Sequence, residues 1–243
     1  NGRPAAVSRP TVLVTGANRG IGLEFARQYL ADDWRVIGTL RDPANAGELE
    51  ALTGPGELVI EQLDVTDHEQ IDGLAGRYDG QAIDVLLNNA GIIGPVPIPE
   101  HIEKQHFGSM DYALWDRVLW TNTFAPLKLA EAMVESIAMS SQKKIATLSS
   151  TVGSLVERDT AAFAYATSKT AVNKAMRLLA SVLKERGIVV GIFCPGYVQT
   201  RMDFGTADVK PADSVRGLRG LIDTMTATDS GTFRRYNGDT IAW

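Results

Sequence analysis

The run Thr11–Thr15 (TVLVT) leads straight into Gly16-Ala17-Asn18-Arg19-Gly20-Ile21-Gly22, and this junction constrains the chain more than any other stretch. The mostly β-branched residues read as a strand. The apolar positions Ile21, Phe25 and Leu30 then follow at helical spacing. Residues without Cβ let a backbone turn tightly and approach a ligand, while a helix N-terminus offers free N–H groups and a positive dipole end. Such a turn suits a pyrophosphate, although a strand–helix turn without a ligand can look the same. The glycine spacing is G-x-x-x-G-x-G, not the G-x-G-x-x-G of the usual dinucleotide fingerprint.

The same alternation continues along the chain. Strands are expected at residues 35–40, 58–63, 83–88, 144–148 and 189–193, with an edge strand at 232–236. Helices are expected at residues 21–31, 68–78, 112–136, 163–185 and 211–226, and a Pro-rich loop at 91–108. The strands are almost wholly apolar, as strands covered on both faces are. Together these features predict an α/β fold: a doubly wound parallel sheet of Rossmann type in three α/β/α layers. Ligands should bind beyond the carboxyl ends of the strands, where the loops after Thr15, Asn88, Leu148 and Phe193 lie. Residues 1–10 read as a flexible tail and residues 11–243 as one catalytic domain, with no repeat or break in composition.

Composition narrows the function. A net charge of -5 gives no basic footprint for nucleic acid. No apolar run is long enough to span a membrane and no signal-peptide pattern is evident, so a cytoplasmic protein is expected. Cys194 is the only cysteine, which leaves no disulfide framework, and His68, His101 and His106 lack metal-ligand spacing, so no metal is expected. In a Rossmann unit an acid near the end of the second strand holds a ribose 2′-hydroxyl, whereas a nearby Arg accommodates a 2′-phosphate. Leu40 stands where the acid belongs, Arg41 follows, and Arg19 can add charge. NADP(H) is therefore favoured over NAD(H), with Asp42 as the contrary signal.

Tyr165 and Lys169 stand four residues apart in a helical stretch and should share a face. A nearby ammonium favours a phenolate. Lowering a phenol from about 10 to about 7 asks for roughly 4 kcal/mol, more than one exposed lysine supplies. Partial burial and a cofactor's charge would have to contribute.

Six motifs occur in order: residues 15–22, Asn88-Asn89-Ala90-Gly91, Asn122, Ser149-Ser150-Thr151-Val152-Gly153, Tyr165-Ala166-Thr167-Ser168-Lys169, and Pro195-Gly196-Tyr197-Val198-Gln199-Thr200. The set resembles the short-chain dehydrogenase/reductase family over nearly the whole chain. The ending at residues 231–243 is similar to its Sniffer and C-factor carbonyl reductase branch.

The resemblance implies hydride transfer between NADP(H) and a ketone, aldehyde or secondary alcohol. Tyr165 would be the general acid/base and Ser150 the donor to the reacting oxygen. Lys169 would tune Tyr165 and bind ribose hydroxyls, and Asn122 would hold a relay water. The glycine turn (Gly16, Asn18, Arg19, Gly20, Ile21, Gly22) would hold the cofactor together with Asp64 and Val65, Asn89, Ala90 and Gly91. Pro195, Gly196, Val198 and Thr200 would clamp its nicotinamide end. Ile93, Leu155, Val156, Tyr197, Met202 and Phe204 are candidate apolar walls for an apolar or aromatic substrate. The helices at 112–136 and 163–185 would form a homodimer or homotetramer. Alternatives on the same fold are a cofactor-sensing or signalling protein and a 3-oxoacyl-carrier-protein reductase.

Overall fold

The computed structural model describes residues 9–243, so residues 1–8 of the expected tail lie outside the described residues. In chain order the elements are β1 (Thr11–Thr15), α1 (Gly20–Ala31), β2 (Arg35–Leu40), α2 (Gly47–Glu50), β3 (Glu57–Gln62), α3 (His68–Arg77), β4 (Val85–Asn88), α4 (Tyr112–Leu119), α5 (Ala125–Met139), β5 (Lys144–Leu148), α6 (Phe163–Val182), β6 (Val189–Cys194), α7 (Pro211–Thr224) and β7 (Phe233–Arg235). The strands form a seven-stranded sheet in the order β3-β2-β1-β4-β5-β6-β7, and every pairing is parallel.

Alternate residues of each strand feed opposite layers, as the pleat requires. Leu13, Ile37, Leu86 and Ile145 point to the side covered by α3, α5 and α6, where they meet Leu74, Leu129, Met133 and Met176. Their neighbours Val12, Val14, Val36 and Leu87 point to the side covered by α1 and α7, against Phe25, Tyr29, Leu218 and Ile222. The strand order reverses between β1 and β4. The loops leaving those two strands therefore part, and a crevice opens at their carboxyl ends.

Several boundaries differ from the expected ones. The helix expected over 112–136 is interrupted by a π-helical turn at Trp120–Phe124, where Ala125 N–H reaches back to the Trp120 carbonyl. Pro126 has no N–H to give the Asn122 carbonyl, so a regular α-turn cannot close there. Helix α6 ends at Val182, a 3-10 turn follows at Lys184–Arg186, and Gly187 takes a left-handed conformation after it. The Pro-rich loop holds two 3-10 turns, Ile98–Glu100 and Ile102–Gln105, and the short α2 carries no long periodic signal. No helix among the described residues is long and apolar enough to cross a membrane.

Candidate active site

The crevice is a cleft of about 960 Å³ at the β1/β4 reversal. That is the upper end of the range for ligand sites, roughly 300–1,000 Å³. Its floor is built by hydrogen bonds between two loops. Thr15 Oγ1 accepts from the N–H groups of Asn89 and Ala90, both at 3.0 Å. Asn89 Nδ2 returns a bond to the Thr15 carbonyl at 2.8 Å. The glycine turn needs its glycines: Gly16 has φ +66°, and a Cβ on Gly22 would overlap the Gly16 carbonyl. From the other side Thr200 arches over the turn, its Cγ2 3.4 Å from where a Cβ on Gly20 would stand. Gly16, Asn18, Arg19, Gly20, Ile21, Gly22, Arg41, Asp64, Val65, Asn89, Ala90, Gly91, Pro195 and Thr200 all line the cleft. A glycine turn that opens α1, narrowed by residues that tolerate no Cβ, fits a dinucleotide.

The end of the cleft near β2 carries two arginines and three carboxylates. Arg41 and Arg19 line it, and among the described residues neither is held in an ion pair. Asp42 is already engaged: its Oδ1 accepts Ala44 N–H at 3.0 Å and its Oδ2 accepts Asn45 Nδ2 at 2.7 Å, capping the turn Pro43–Asn45. Asp64 likewise turns inward to its own loop, accepting from Thr66 N–H and hydroxyl at 2.9 and 2.7 Å. Glu48 is the further acid at this end.

At the other end Tyr165 and Lys169 converge, with Lys169 Nζ 5.6 Å from the centre of the Tyr165 ring. Both line the cleft. Lys169 Nζ donates to the Leu148 carbonyl at 3.0 Å, which anchors the ammonium under the last residue of β5. Ser150 begins the turn after β5, and that turn docks on α6. A Cβ on Gly153 would lie 2.8 Å from the Lys169 carbonyl carbon, and Asn173 Nδ2 donates to the Gly153 carbonyl at 3.2 Å. Ser149 is buried and bonds the Lys169 carbonyl at 3.4 Å, whereas Ser150 is half-buried beside the phenol.

The electrostatics correct one expectation. The Tyr165 phenol is not lowered: burial, with the Cys194 sulfur adding to it, pushes it up to about 12, and the Ser150 hydroxyl works the other way. Burial likewise pulls Lys169 down to about 8, against the pull of Cys194. The lysine that was to supply the field is itself short of solvent.

Asn122 sits in the π-turn, buried behind the cleft rather than on its wall. Its amide grips both polar groups of Ile92, accepting from N–H at 2.9 Å and donating to the carbonyl at 2.8 Å. A methyl placed on Gly91 would meet Asn122 Oδ1 at 3.3 Å and Lys169 Nζ at 3.7 Å, so these two atoms flank one spot.

Other expected residues stand off. Gly196 packs on Tyr236, and Val198 is buried in a bridge with Val209. Of the six candidate substrate residues only Met202 lines the cleft. Ile93 is buried, and Leu155 and Val156 project into solvent at 76% and 72% exposure. Tyr197 spends its hydroxyl on the Phe204 N–H at 2.7 Å, tying ring and loop together, while Phe204 is itself exposed. Gln199, Arg201, Arg117 and Thr121 line the cleft without having been singled out. Arg117 and Thr121 are one helical turn apart, and that spacing was the available signal.

A family model described as short chain dehydrogenase matches residues 10–209. C-signal of Myxococcus xanthus is 35% identical over 162 residues, spanning 66% of this chain and 93% of that protein. Among solved structures, the NADPH-bound carbonyl reductase from chicken fatty liver is similar with a TM-score of 0.85 and 33% identity, over 97% of this chain and 100% of that one. The carbonyl reductase Sniffer of D. melanogaster has a TM-score of 0.86 and 28% identity, again over 97% and 100%. The six ordered motifs, the parallel sheet and the cleft agree with these matches: the chain belongs to the short-chain dehydrogenase family of oxidoreductases, in its Sniffer/C-factor-like branch.

Proposed function

We propose that residues 11–243 act as one catalytic unit, a cytoplasmic NADP(H)-dependent carbonyl reductase that reduces apolar or aromatic ketones and aldehydes. The observation that carries this reading is the Tyr165 phenol on the wall of the cleft, with Lys169 and Ser150 beside it. When bound, the nicotinamide supplies the hydride for reduction and accepts it in the reverse direction. Everything else falls to this chain. A phenol held at about 12 keeps its proton at neutral pH, so the resting site is prepared to donate it to a carbonyl oxygen. The Ser150 hydroxyl donates to the same oxygen and stabilises its developing charge. The Lys169 ammonium then lies against the phenolate that donation leaves. Asn122 Oδ1 and Lys169 Nζ both lie against Gly91, which supports a shared part for these two residues in returning the proton.

Arg41 and Arg19, in no ion pair among the described residues, and Asp42, engaged in its own turn, support NADP(H) over NAD(H). The NADPH bound by the chicken carbonyl reductase agrees with that preference. Similarity to C-signal keeps a signalling role as the second reading. A pure binder, however, has no use for an acid/base tyrosine between a lysine and a serine. We also infer a homodimer or homotetramer.

The test follows absorbance of NADPH across a panel of ketones and aldehydes with para-nitrobenzaldehyde as the first probe. Turnover should prefer NADPH over NADH, and R41A should remove that preference by about tenfold or more, as losing a charged hydrogen bond would. Turnover confined to highly charged substrates, or a clear preference for NADH, contradicts this assignment.

A further inference from the structure

Gln105 lies outside the cleft, yet its side chain is buried, with 1% exposure, and both ends of its amide are engaged. The 3-10 turn Ile102–Gln105 delivers it from the Pro-rich loop to the start of α6. There its Oε1 accepts from the Tyr165 N–H at 2.9 Å, while its Nε2 donates to the Ile93 carbonyl. Tyr165 is the third residue of α6, and N–H groups in a first turn have no partner within their own helix. Ala162, at the cap position, offers no side chain to satisfy them.

The carbonyl of the same residue is tied as well. Ser168 Oγ donates to the Tyr165 carbonyl at 2.7 Å and accepts from Asn122 Nδ2 at 3.0 Å. Asn122 in turn holds Ile92 by both its backbone groups. Both polar backbone groups of Tyr165 are thus fastened to residues 92–93, which follow the Asn89-Ala90-Gly91 floor of the cleft. One tie runs through Ser168 and Asn122 and the other through Gln105 alone. A buried amide is costly unless both ends are bonded, so the Gln105 side chain admits few other placements.

We propose that Gln105 is a positioning residue for the reaction: it fixes the Tyr165 backbone against the cofactor floor and so sets the reach of the phenol. This rests on the reading of Tyr165 as the acid/base. A shift of about 1 Å in such a group can cost up to about a hundredfold in rate without touching cofactor binding.

The test replaces Gln105 by Met, which keeps its length and removes both hydrogen bonds. With NADPH and para-nitrobenzaldehyde, kcat of Q105M should fall by about tenfold or more, with the Kd for NADPH, read by fluorescence, within about twofold of the parent. The solvent deuterium isotope effect on kcat should rise, because proton donation becomes limiting. A kcat within about twofold of the parent overturns the proposal, as does a matching loss of NADPH affinity. If Q105M does not fold, amide exchange in the unaltered protein decides. The Tyr165 amide should exchange far more slowly than that of Ala164, and equal rates overturn the proposal. Y165F separates the two claims: an active Y165F removes the acid/base reading itself, whereas an inactive Y165F beside a normal Q105M removes only this inference.

Discussion

Lys169 holds an ammonium among buried neighbours, with the Leu148 carbonyl as its protein partner. Burial takes its pKa from the ordinary 10.5 to about 8. The unfolded chain therefore binds more protons than the folded one between these two values, and stability rises with pH across that window. Below pH 8 the cost of burying the charge is present in full, about 3 kcal/mol, and toward pH 10.5 it disappears. K169M without cofactor should thus be more stable than the parent at pH 7, by about 2 kcal/mol once the lost hydrogen bond is counted. Urea unfolding at several pH values checks this, and the advantage should shrink as pH rises toward 10. A K169M advantage independent of pH would mean that Lys169 is not strained by its burial. The same variant should be inactive, since no cation then faces the phenolate.

At the scale of elements, the site depends on how the turn after β5 seats on α6. Gly153 touches the Lys169 backbone so closely that G153A must push one element from the other, at about 1–3 kcal/mol. Ser150 rides on that turn. We expect G153A to bind NADPH nearly as the parent does and to lose about tenfold or more in kcat, measured with para-nitrobenzaldehyde. Full activity would show that the docking of this turn does not set Ser150. The main elements were legible because the central strands are apolar and the longer helices carry an apolar stripe. The break at Trp120–Phe124 was not, because Tyr112 to Ser136 keeps a helical pattern throughout and only Pro126 hints at the lost hydrogen bond. Gln105 was hidden for a similar reason. A glutamine in a Pro-rich loop reads as solvated surface, and nothing local says that it is buried against a helix start sixty residues away.

For the whole molecule, the parallel order and the reversal between β1 and β4 put motifs separated along the chain onto one cleft. The glycine turn, the Asn89 loop, Tyr165 and Lys169 were legible as a site because each motif follows a strand or opens a helix at the same end of the sheet. The substrate wall was not: side chains such as Leu155, Val156 and Phe204 look like pocket lining by type, but loop geometry decides where they point. Trp120, Phe124, Phe163, Leu178 and Val182 leave apolar surface on the segment leading into α5 and on α6. We expect light scattering to give at least twice the chain mass, and a monomer at micromolar concentration would contradict the assembly we infer. The most direct measurement of the central claim is the kcat of Y165F with NADPH and para-nitrobenzaldehyde, alongside its Kd for NADPH. The account predicts a loss of about a hundredfold or more in kcat with cofactor binding preserved, as removal of a general acid should give. A Y165F protein that turns over near the parent rate would contradict it.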